Sequence, residues 1–261
     1  MKKKLLGLIF LISFIFMFRS NNSYKCSDIK KDALLNETKN DNLEKSIKEE
    51  CENVPYREEY KIAKFPIISQ MPELPTGCEI TALAMMLNFY GFKVDKETLA
   101  YQYLPTVPAE IQYGEDGLLY GPDMEKYFVG DPGGTGYICG TTAIVTAANH
   151  FFSQTNSHFF ATSMKNMSAQ EVYELLNRNI PVLVWVTIGM EPRLETQGWY
   201  TKEGKFMEWA ENDHGAVVIG YDETSVIIAD PILGEYRCDK MSFEEVFLSR
   251  GGKCAIIQNK K

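Results

Sequence analysis

The chain has 261 residues, 45% of them hydrophobic and 24% charged, which is enough to bury one sizeable core with room for a second small lobe. Its formal net charge of -8 argues against a nucleic-acid partner, because proteins that rely on phosphate contacts present a basic face. With three scattered histidines, no Cys-x-x-Cys and no His-Glu-x-x-His, the sequence calls for no metal and no other cofactor.

Met1-Lys2-Lys3-Lys4 precede the mainly apolar residues 5–18, which Arg19 ends; this is the pattern of an export signal. As a helix at about 1.5 Å per residue the run would span about 21 Å, short of a hydrocarbon core of about 30 Å. Residues 1–19 are therefore expected to be a signal peptide, with an N-terminal membrane anchor through residues 5–18 as the alternative. Either places the domain outside the cytoplasm, secreted or held at the cell surface. Residues 20–60 are dense in Lys, Asp, Glu and Asn, hold no Gly, and read as a charged linker. Residues 61–261 have the composition of one globular domain.

Within that domain the first half reads as mainly helical. Thr76-x-x-Glu79 has capping-box spacing, and Ile80, Leu83, Ala84, Leu87 and Tyr90 recur at helical intervals until Gly91. A short helix is expected over 95–103 and another opening at Gly121-Pro122-Asp123. Gly133-Gly134-Thr135-Gly136 lacks the Gly-Lys-Ser/Thr of a phosphate loop and reads as a mobile loop near a cleft. Thr141 or Thr142 starts an apolar helix to about Phe152, and Ser168-x-x-Glu171 caps one to about Asn177.

The second half changes period. Residues 180–188 form a continuous apolar run that fits a buried strand. Residues 214–221 and 225–230 predict a hairpin across Asp222-Glu223-Thr224, Ser242-x-x-Glu245 a capped helix ending at Gly251, and residues 254–257 a last strand. The fold class is α+β, with a helical lobe carrying a cysteine and an antiparallel β lobe carrying a histidine and an aspartate.

Three residue types at these positions suggest nucleophilic chemistry. Cys78 falls in the first turn of a helix, where the dipole and free N–H groups favour the thiolate, the nucleophilic form. His214 opens one strand of the hairpin and Asp230 closes the next, so an imidazole and the carboxylate that orients it can meet. His150 and His158 have no such partner, and Cys139, after a glycine-rich stretch, reads as a structural thiol. Of the six cysteines, Cys26 with Cys51 and Cys238 with Cys254 are the pairs suggested by sequence proximity in an exported chain. Trp185 reads as core, while Trp199 and Trp209 could line a groove.

Several segments together resemble the family-thirty-nine-like cysteine peptidases, papain-like proteins related to the bacteriocin-processing, double-glycine leader peptidases. They are Gln70-Met71-Pro72-Glu73-Leu74-Pro75-Thr76-Gly77-Cys78, Phe128-Val129-Gly130-Asp131-Pro132, Pro181-Val182-Leu183-Val184-Trp185, the stretch from Asp213 through His214-Gly215 to Asp222, and Asp230-Pro231, in order over roughly residues 64–258. The resemblance implies a papain-like fold and hydrolysis of a peptide bond through an acyl-enzyme, with a peptide or protein as substrate. It makes Cys78 the nucleophile, His214 the general base and acid, Asp230 the orienting residue and Gln70 the side chain of the oxyanion hole. The leader peptidases place that glutamine six residues before the cysteine and a glycine after it, whereas here the gap is eight and Glu79 follows. The transporter regions of those proteins are absent from this sequence. A papain-like amidase or transpeptidase acting on cell-envelope peptides is the alternative within enzymology. A peptide-binding surface module without turnover is the alternative outside it.

Overall fold

The computed structural model describes residues 57–260; the export segment and nearly all of the linker, with Cys26 and Cys51, lie outside the described residues. The described residues start with strand β1 (Tyr60–Lys61), helix α1 (Cys78–Phe89) and helix α2 (Lys96–Gln102). Short strands β2 (Thr106–Val107), β3 (Gln112–Tyr113), β4 (Leu119–Tyr120) and β5 (Phe128–Val129) come next. Helix α3 (Thr141–Gln154), strand β6 (Phe159–Met164), helix α4 (Ala169–Asn177) and strand β7 (Val182–Thr187) follow. The chain then runs through β8 (Trp199–Tyr200), β9 (Phe206–Met207), β10 (Asp213–Tyr221), β11 (Ser225–Asp230), β12 (Gly234–Asp239), helix α5 (Lys240–Ser249) and β13 (Cys254–Asn259).

The main sheet is antiparallel, in the order β12-β11-β10-β7-β13-β6, with β1 also paired to β10. Its centre, β7 and β10, is buried and mainly apolar because helices cover it. Every residue of β7 is buried, as is β10 after Asp213. Helix α1 is buried over Cys78–Leu87, so it is a core helix and not a surface one. One hydrophobic core runs through helices and sheet alike, joining Ile80, Leu83 and Leu87 to Val184, Val217 and Ile256. A smaller core under β3, β4, β8 and β9 gathers Met124, Val129, Trp199 and Met207. Trp199 is thus a core residue, not a groove wall.

The helices expected after Thr76, over 95–103, from Thr141 or Thr142 and after Ser168, the hairpin of 214–221 with 225–230 and the last strand are all present, observed at 78–89, 96–102, 141–154, 169–177, 213–230 and 254–259. Asp95 caps α2 by accepting from the Thr98 amide, and Ser168 and Glu171 form a complete capping box on α4. Other expectations need correction. No helix opens at Gly121-Pro122-Asp123: the Asp123 carbonyl accepts from the Lys126 and Tyr127 amides for one turn, and the chain then pairs as β5 with β2. Helix α5 is capped by Asp239, whose side chain accepts from the Ser242 amide, because β12 delivers an aspartate to the helix start three residues before the serine. Cys238 and Cys254 are both free thiols. Three strands separate β12 from β13 in the sheet, a gap of about 19 Å at about 4.8 Å per strand, far beyond disulfide reach.

Candidate active site

Cys78 is the first residue of α1, so it belongs to the turn whose N–H groups have no acceptor within the helix. The turn is not built as the sequence spacing suggests. The N-cap is Gly77 with no side-chain cap, and the Thr76 hydroxyl instead donates to the Asp131 and Pro132 carbonyls at 3.2 and 3.3 Å. The glycine-rich loop after β5 closes on itself, with the Asp131 amide bonded to the Thr135 carbonyl, and is tied to Thr76, so it does not hang free beside the site. Glu79, released from any capping role, is fully buried.

His214 is the second residue of β10, opposite Val186, and Asp230 closes β11. His214 Nε2 and Asp230 Oδ2 are 2.9 Å apart, with both side chains about 1% exposed. The other Asp230 oxygen accepts from the Ile232 and Leu233 amides at 2.7 and 3.0 Å. Burial pushes the Asp230 carboxyl up, but the hydrogen bond and charge of His214 and the two amides outweigh it, so its pKa lies below the ordinary value. His214 Nδ1 is buried with no hydrogen-bond partner among the described residues. Just ahead of the histidine, Asp213 Oδ2 accepts from Arg250 at 2.7 Å and from the Ala210 amide at 2.8 Å, which pins the start of β10.

Residue 215 joins the two halves of the site. A Cβ on Gly215 would lie 2.6 Å from Glu79 Cγ and 2.9 Å from Glu79 Cα, so only glycine lets α1 come this close to β10. The Gly215 amide lowers the pKa of the Cys78 thiol, and the close approach of Gly215 to Glu79, the neighbour of Cys78, sets the start of α1 beside the residue that follows the histidine. The thiol itself donates to Glu79 Oε2 at 3.2 Å. Burial and the neighbouring Glu79 charge push the Cys78 thiol well above its ordinary pKa, against the pull of the Gly215 and Glu79 amides. A helix start alone would lower it. Here desolvation and a carboxylate win.

Gln70 is 2% exposed and stands over the same corner: its backbone N–H donates to the carbonyl of Pro231, the residue after Asp230. Its Nε2 donates to the Pro75 carbonyl at 2.7 Å, and its Oε1 is buried without a partner among the described residues. His150 and His158 are exposed and outside the site. Cys139 is buried, with its amide donating to Glu79 Oε1 at 3.1 Å and its carbonyl accepting from Trp185 Nε1 at 2.7 Å. No group of three or more His, Cys, Asp or Glu that could hold a metal ion occurs among the described residues. Sequence reasoning missed Glu79. The signal was available: the helix it starts is apolar on all sides, so a first-turn carboxyl there has no solvent face to occupy.

A model of the Peptidase_C39 like family matches residues 62–255. The uncharacterised protein YvpB of Bacillus subtilis (strain 168) is 32% identical over 189 residues, covering 72% of this chain and 71% of YvpB. The crystal structure of a candidate C39-like peptidase from Bacillus anthracis superposes with a TM-score of 0.67 at 27% identity, over 78% of this chain and 98% of that one. The chain belongs to the Peptidase_C39-like family, and its α+β architecture is a C39-like peptidase fold.

Proposed function

We propose that the protein is an exported cysteine peptidase that hydrolyses a peptide bond through Cys78, His214 and Asp230. The observation that carries this reading is the buried His214–Asp230 pair with Nδ1 left unpartnered, on a strand whose Gly215 packs directly against Glu79, the residue after Cys78. Asp230 holds the proton on Nε2, so the free Nδ1 is the basic nitrogen. The sulfur attacks the scissile carbonyl carbon while its proton passes to Nδ1. Collapse of the tetrahedral adduct expels the amine, which takes that proton, and leaves a thioester on Cys78. Water, deprotonated at Nδ1, then cleaves the thioester and restores the thiol. The Cys78 N–H and the Gln70 side-chain amide are the donors to the developing oxyanion, supported by the tie between Gln70 and Pro231 that keeps Gln70 at this corner.

Export is part of the reading: residues 1–19 carry the signal, or anchor the protein through residues 5–18, and residues 20–60 space the domain from the envelope. The test is a mixed peptide library offered to the purified full chain, with products read by mass spectrometry. Cleavage that disappears in Cys78→Ala and in His214→Ala is the expected result. Binding without cleavage by the wild type, unchanged in Cys78→Ala, would overturn it in favour of a binding module.

A further inference from the structure

The Cys78 thiol makes its side-chain hydrogen bond to Glu79 Oε2 at 3.2 Å, while His214 Nδ1 has no partner among the described residues. Glu79 is fully buried, its second oxygen is held by the Cys139 amide at 3.1 Å, and it packs so closely on Gly215 that a Cβ there would lie 2.6 Å from Glu79 Cγ. We propose that Glu79 is a fourth catalytic group, a carboxyl that competes with His214 for the sulfur and whose protonation state decides whether Cys78 can become a thiolate. This rests on the peptidase reading of the site and adds a control to it.

As a carboxylate, Glu79 accepts the S–H bond and opposes negative charge on sulfur 3.2 Å away. As a neutral acid it can turn its own O–H to the sulfur and donate. The S–H bond then breaks, its electron pair stays on sulfur, and the proton forms the N–H bond at His214 Nδ1. No proton is gained or lost overall, and the acid hydrogen bond stabilises the thiolate. The ionisable groups acting on Glu79 are Cys78 on its own helix, Cys139 on the loop before α3, His214 on β10 and Arg250 after α5. Burial dominates among these influences and pushes the carboxyl up to about 7, over the opposing amides and the His214 charge. Both forms are therefore populated near neutral pH, and the reactive form is the acidic one.

The experiment is the rate of iodoacetamide labelling of Cys78 in the full chain as a function of pH, read by mass spectrometry on the peptide that holds residue 78. Wild-type labelling is expected to be fastest near pH 6 and to fall about 30-fold by about pH 8.5, about one and a half units above the carboxyl's midpoint. Glu79→Gln keeps the shape and the acceptor for the Cys139 amide but cannot ionise, so its rate should stay within about threefold over the same range. A wild-type rate that stays level, or a Glu79→Gln profile that overlays the wild type, overturns the proposal. Should circular dichroism show Glu79→Gln unfolded, Glu79→Asp replaces it; a shifted midpoint supports the proposal and an unshifted one opposes it. His214→Ala separates the two levels of the argument. If it leaves the profile untouched, the peptidase reading itself fails; if it alters the profile while Glu79→Gln does not, only the role of Glu79 fails.

Discussion

At the scale of single residues, the site concentrates unlike demands on a few atoms. Asp230 must keep a negative charge in a place where it is about 1% exposed, and it does so by spending one oxygen on His214 and the other on two amides. Asp230→Asn keeps the shape but presents a neutral amide to Nε2, so the ring loses the partner that fixes its proton. Turnover should fall by about 100-fold or more, the scale of general acid–base catalysis, while the fold survives. Steady-state kinetics beside a circular dichroism spectrum checks this, and an Asn variant of undiminished kcat/KM would remove Asp230 from the machinery. The places of Cys78 at a helix start and of His214 and Asp230 near strand ends were legible in the sequence because each is a recognisable element boundary. The pairing of Cys78 with Glu79 was not, since a Thr-x-x-Glu spacing looks the same whether the glutamate folds back on the helix start or turns into the core.

At the scale of elements, the meeting of α1 with β10 depends on residue 215 having no side chain. Gly215→Ala places a methyl 2.9 Å from the Glu79 Cα, a backbone atom that cannot step aside without moving the helix. The expected cost is about 1–3 kcal/mol of overpacking strain, with the start of α1, and Cys78 with it, displaced from β10. For a domain of this size that is a fall of roughly 2–12 °C in Tm, measurable by calorimetry, and peptide turnover should drop more steeply than Tm. A variant of wild-type Tm and turnover would show that the crossing tolerates a wider separation. Ser168→Ala offers a comparison remote from the site. It removes the α4 cap, should cost about 1 kcal/mol, and should leave turnover alone. The elements that sequence reading found are those with strong local signals: capping residues on α2 and α4, and β-branched runs in β7, β10 and β11. It missed β12, whose burial alternates half-buried and exposed as Gly234-Glu235-Tyr236-Arg237-Cys238-Asp239, and the two-residue strands β3, β4, β8 and β9. Those strands are defined by partners far along the chain and not by their own residues.

At the scale of the whole molecule, the buried carboxyls set opposing dependences of stability on pH. Asp230 has a folded pKa below its ordinary value, so the folded state binds fewer protons there; its stabilisation is present above that ordinary value and is lost as pH falls through the folded pKa. Glu125, held down by Thr141, Lys253 and Lys165 against its burial, acts in the same sense. Glu79 acts in the opposite sense. Its folded pKa of about 7 lies above the ordinary 4.5, so the folded state binds more protons between those values and stability declines as pH rises through that window. Over that window the total is about 3 kcal/mol, a large share of a typical domain's stability. Asp213, raised by burial despite Arg250, adds to the decline at the lower end. Urea unfolding at about pH 5 and about pH 7.5 should therefore show the wild type less stable at the higher pH. Glu79→Gln should lose markedly less between the two, because the amide has no proton to release. A variant that declines as much as the wild type would mean that other groups carry the dependence and that the Glu79 carboxyl titrates nearer its ordinary value.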